Sequence, residues 1–165
     1  MQSYPEGFIF AVKWFWALAI AGNFINAAFY YVRARDDMAR KPELAASYPR
    51  LICGYIIWMN APWVVMGLVI LAGGAENPLD FLAPREGGAG IKLFYGTLIV
   101  AWLAALYWIL FRDGDVVLSR HKAFFSWYMP SSPYMIRLFV IFMSVAGFLV
   151  FFVLWSGHIS FNFDN

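Results

Sequence analysis

The segment Trp58–Gly67, WMNAPWVVMG, sets an asparagine and a proline inside an apolar run and flanks them with two tryptophans. In water such a run reads as a buried core element. In hydrocarbon it reads as part of a membrane span, and the rest of the chain decides between the two. Of its 165 residues, 62% are hydrophobic and only 13% are charged. A soluble domain carries about 25% charged residues. The chain has too little polar surface to cover a water-soluble particle, so lipid is the solvent that fits it.

Extending outward from Trp58 gives an apolar run of about 51–72, and three more runs match it, at about 8–32, 91–111 and 135–155. Each is long enough to cross a bilayer core, which takes about 20 apolar residues. None alternates polar and apolar residues as barrel strands do, so helices are expected. The predicted fold is all-α, a polytopic integral membrane protein with a four-helix transmembrane bundle of up-down connectivity. No linker separates folded units, so residues 1–165 read as one domain. The start, MQSYPEG, lacks a basic region, and the run after it is too long for a signal peptide, so a retained span is expected there.

The connections are polar. The second, GGAENPLDFLAPREGGAG, has room for one short turn at NPLDFLAP. The third mixes basic and apolar residues, which suits either a segment lying on the membrane surface or a loop packed on the bundle. Asp115 is placed there to cap a short helix. Nine of the 12 Lys and Arg residues fall at the end formed by the first and third connections, namely Arg33, Arg35, Arg40, Lys41, Arg50, Arg112, Arg120, Lys122 and Arg137. The positive-inside rule then makes 33–50 and 112–134 cytoplasmic, with both termini outside, as in a bacterial inner membrane. Trp14, Trp16, Tyr95 and Trp155 are expected in an outer aromatic belt. Tyr30, Tyr31, Tyr55, Tyr107, Trp108 and Trp127 are expected in an inner one.

Counting inward from the span ends places Asn60 and Pro62 at mid-depth. Asn23 and Asn26, Trp63, Trp102 and Ser144 fall at a similar level. Pro62 lacks an N–H and frees the carbonyl of Trp58, which hydrocarbon cannot satisfy. The asparagines are therefore expected to point inward and bond across helices near a kink at Pro62. As glue, such contacts stabilise a membrane bundle by about 0.6 kcal/mol each. Ala17/Ala21, Gly22/Asn26 and Ala101/Ala105 supply the small-residue spacing for close approach. Alternatively the layer lines a pocket for a lipid tail, quinone, pigment or small neutral solute.

Chemistry is sparse. No carboxylate lies within a span, which argues against proton-coupled transport. His121, between Arg120 and Lys122, reads as a headgroup contact. His158 reads as a solvated terminal residue, or as one ligand of a site completed by another chain. With these two histidines about a bilayer apart, no haem can be clamped between them. Cys53, the one cysteine, reads as a small buried hydrophobe. Asp36, Asp37, Asp113 and Asp115 read as solvated charges beside arginines. RDD and RDGD, after the first and third spans, hint faintly at a duplicated hairpin. No phosphate loop, zinc motif or nucleophile elbow appears, so no catalytic residue, metal or cofactor is expected. The expected partners are the bilayer and other membrane subunits or copies of this chain, without nucleic acid. A non-catalytic subunit or assembly partner of a membrane complex is the first functional reading. A small oligomeric carrier or binder using the midplane layer is the second. A lipid-modifying enzyme is the least supported.

Overall fold

A computed structural model describes residues 6–124 and 132–156. The described residues fold into six α-helices joined by short 3-10 turns, with no strand. Helix α1 is Glu6–Lys13, α2 Phe15–Arg40, α3 Ser47–Leu71, α4 Ala89–Phe111, α5 Gly114–Arg120 and α6 Pro133–Ser156. Four helical segments are long and apolar enough to cross a membrane: α2, α3 with the turn before it, α4 and α6. This is the make-up of a multi-pass membrane protein.

The first predicted span differs in two ways. It is stepped at Trp14, between α1 and α2, although Trp14 N–H still bonds the Phe10 carbonyl at 3.0 Å. Helix α2 also continues beyond Val32 to Arg40, because RARDDMAR holds good helix formers and no breaker precedes Pro42. Its extension packs by Ala34, fully buried, against Tyr48 and Ala123.

Helix α3 runs unbroken through Pro62. It stops where Gly73 takes φ 74°, a left-handed conformation that costs glycine little, and Gly74 N–H closes on the Val69 carbonyl at 2.9 Å. The expected turn in the second connection forms at Pro78–Leu82. The Asn77 side chain accepts from Leu79 N–H at 2.8 Å, and Asp80 accepts from Glu76 N–H at 2.6 Å. Phe81 in this turn is buried, and its carbonyl accepts from the Tyr95 hydroxyl.

The four long helices pack in chain order, α2 on α3, α3 on α4 and α4 on α6, with α5 wedged against α4 and α6. The third connection thus folds onto the bundle as far as Phe124. Gly114 lies under Trp108, where a Cβ would come within 2.7 Å of the ring.

Tryptophan–glycine contacts set the close approaches. Trp16 lies on Gly67, the last residue of the opening segment, and Trp102 lies on Gly147. Tyr95 is buried in the core, whereas Trp16 and Tyr55 are half-buried, Trp16 against that core and Tyr55 on the α2–α3 seam. Gly22 meets nothing within 4 Å of a Cβ, so the Gly22/Asn26 pair does not mark a close approach. Cys53 is exposed on the apolar surface of α3, not buried as expected. Trp127 and His158 lie outside the described residues.

Candidate functional site

Mid-bundle, the α2–α3 seam holds the expected amide layer. Asn23 Nδ2 donates to Asn60 Oδ1 at 3.1 Å and to the Met59 carbonyl at 3.2 Å. The Tyr55 hydroxyl donates to Asn23 Oδ1 at 3.4 Å. Asn60 is buried, and its own Nδ2 returns to the Ile56 carbonyl at 2.8 Å. The amides therefore serve the carbonyls of Ile56 and Met59 beside Pro62, and not that of Trp58. Asn26 is exposed, with Tyr55 as its neighbour across the seam. Half-buried Ser144, on α6, takes no part in the layer. The six midplane candidates thus divide: Asn23 and Asn60 bond each other, whereas Trp63 and Trp102 face a cleft.

That cleft lies at the end away from the basic connections. It has a volume of about 820 Å³ and runs between α1–α2 on one side and α6 on the other, with α3 and α4 behind. Phe15, Trp63, Trp102, Met143 and Phe151 are among its walls, and Leu79 and Leu82 cover it. A second cleft of about 650 Å³ opens at the basic end between α3 and α6. Ala101, Ala104 and Ala105 form its back, so the small residues of α4 leave space here that helix contact does not close. Both clefts run along one face of α6, since Ile136, Val140, Met143, Gly147, Val150 and Leu154 recur at alternating steps of four and three. Their linings are apolar, apart from the indoles and tyrosine hydroxyls. Of the latter, those of Tyr55 and Tyr95 are already bonded within the protein.

A polar cluster closes the basic end. Asp115, 1% exposed, is not the cap of α5. That place belongs to Asp113, which adopts φ 53°. Asp115 instead accepts from Arg137 at the start of α6, with Nη2 at 2.8 Å and Nε at 2.9 Å. This two-pronged pair pins α6 to α5. Asp37 accepts from the buried Tyr48 hydroxyl and has Lys41 Nζ at 3.8 Å. Neither Asp37 nor Asp115 is a solvated charge. Each carboxylate reaches the span that follows it.

His121 is also not a headgroup contact. It is 3% exposed, edge-on to the Tyr48 ring, with Nε2 2.6 Å from Ser47 Oγ and Nδ1 2.6 Å from the Val117 carbonyl. Sequence reasoning missed this contact because 74 residues separate the two partners and neither sits in a motif. Among the described residues no three His, Cys, Asp or Glu side chains gather to hold a metal.

Comparison with family models, curated proteins and solved structures finds no match to this chain.

Proposed function

We propose that this protein is a small membrane binder of hydrocarbon chains, seated in the clefts along α6. The observation that carries the reading is the pair of apolar clefts, about 820 and 650 Å³, between spans of one chain. Ligand pockets run to about 300–1,000 Å³ and normally add a few converging polar groups. These clefts offer almost none beyond tryptophan N–H donors. A neutral polar solute would leave its own carbonyls and hydroxyls unpaired there. An acyl or isoprenoid tail needs no such partners. The basic end, with most of the Lys and Arg, faces the cytoplasm in this reading.

A photoactivatable phospholipid with a diazirine in its acyl chain, incorporated into vesicles with the protein, tests the proposal. Crosslinks are expected on Met143, Val150 and Phe139, and Ala104→Trp should remove those of the basic-end cleft while the fold persists. Crosslinks confined to outward residues such as Phe142 and Phe152 would refute it.

The subunit reading rests on α6. Ile136 is its one buried residue among those described, so most of that helix is open to other helices. Gentle extraction followed by native mass spectrometry separates the two readings. A monomer that retains lipid supports the binder, whereas a stoichiometric protein partner supports the subunit.

A further inference from the structure

We propose that Ser47 and His121 form a nucleophile–base pair that cleaves the acyl ester of an anionic lipid, with the acyl chain lying in the basic-end cleft. The proposal rests on the chain-binding reading above.

Geometry assigns the roles. A carbonyl only accepts, so the 2.6 Å contact between Nδ1 and the Val117 carbonyl places a proton on Nδ1. In the neutral ring Nε2 then carries the lone pair, and it faces Ser47 Oγ at 2.6 Å. A base oriented by a third group and within hydrogen-bond reach of a hydroxyl is the arrangement that activates serine. Here the backbone of α5 does the orienting, and the T-shaped contact with Tyr48 and the burial of His121 fix the ring plane. Ser47 is half-buried, and its hydroxyl donates to the Leu44 carbonyl at 2.8 Å, so its one proton must swing from that carbonyl to Nε2 before attack.

Location assigns the substrate. Leu51, one turn along α3 from Ser47, lines the basic-end cleft, as do Leu118 and Phe124, three residues either side of His121. A chain seated there brings its ester end towards the pair. Exposed Arg50, Arg120 and Lys122 adjoin the pair in sequence and match a phosphate-bearing headgroup.

The reaction balances with water alone. Nε2 takes the Ser47 proton as Oγ bonds to the ester carbonyl carbon. The bond from that carbon to the lipid alcohol oxygen breaks, and Nε2 returns the proton to that oxygen. Water, deprotonated by the same nitrogen, then releases the acyl-serine as a free fatty acid and restores the Ser47 hydroxyl.

The test uses the full chain in anionic phospholipid vesicles, treated with a long-chain alkyl fluorophosphonate and read by intact mass and peptide mapping. One adduct on Ser47 is expected, and Ser47→Ala should abolish it. His121→Gln should slow it at least about 10²-fold, the lower range for a general base. Because His121 is buried, Ser47→Ala carries the test should His121→Gln unfold. No adduct on Ser47 in folded protein overturns the proposal, as does a labelling rate unchanged in folded His121→Gln. Photolipid crosslinking in the cleft distinguishes the failures. Crosslinks without an adduct remove the chemistry and leave the chain-binding reading standing, whereas loss of both removes both.

Discussion

Replacing Asn23 with leucine takes more from the α2–α3 seam than replacing Asn60, although the two side chains bond each other. Asn23 gives Nδ2 to Asn60 Oδ1 at 3.1 Å and to the Met59 carbonyl at 3.2 Å, and it takes the longer Tyr55 hydroxyl contact at 3.4 Å. Asn60 shares only one of these, and its other bond stays within its own helix, to the Ile56 carbonyl. At about 0.6 kcal/mol for each interhelical contact, Asn23→Leu should cost about 1.8 kcal/mol and Asn60→Leu about 0.6 kcal/mol. The shared bond makes the two changes non-additive. The double variant should be no less stable than Asn23→Leu alone, with a coupling energy of about 0.6 kcal/mol, roughly threefold in the equilibrium constant. Equilibrium unfolding in mixed micelles, followed by tryptophan fluorescence, measures all four corners of the cycle. Strict additivity, or a larger loss from Asn60→Leu than from Asn23→Leu, would refute the assigned bonding.

Gly67→Ala brings a Cβ to 2.5 Å from Trp16 Cε3, so it should cost about 1–3 kcal/mol and be partly rescued by Trp16→Leu. Gly22→Ala, with open space around it, should be neutral or slightly stabilising in the same unfolding assay. Arg137→Gln leaves the buried Asp115 carboxylate without its cation. A loss of about 1–3 kcal/mol is expected, below the full cost of breaking a buried pair because the arginine side chain is 43% exposed. Proteolysis should then release α6 before the other spans. For orientation, in a Cys53→Ala background, Ala46→Cys should react with an impermeant maleimide only from the cytoplasmic side and Ala72→Cys only from outside. The reverse pattern would invert the assigned topology.

The RDD and RDGD stretches after the first and third spans each supply a carboxylate that bonds the following span. Asp37 after the first span reaches Tyr48 of the second, and Asp115 after the third reaches Arg137 of the fourth. Both carboxylates sit where a helix hairpin turns at the basic end, so each ties one span to the next. Of the two, the Asp115–Arg137 contact stands nearer the clefts, because it fixes the start of the helix that walls both.

Composition and run length alone determined the solvent of this protein, its helical class and its four spans. Bilayer thickness converts directly into residues per span, and an unpaired peptide in hydrocarbon forces a helix whatever its neighbours are. The sequence also carried the Asn23–Asn60 bond, since a mid-depth amide in hydrocarbon has few partners to choose from. Tertiary structure alone decided which faces meet. Span ends specify depth but not helix rotation, so nothing in the chain announced that Ala101 and Ala105 would back a cleft or that Trp16 would lie on Gly67. The same holds at the basic end, where the route of the third connection brings His121 to Ser47 and buries Asp115. A histidine between two cations reads as a surface residue until the path of the backbone is known, because burial is a property of what packs over a residue and not of its neighbours in the chain.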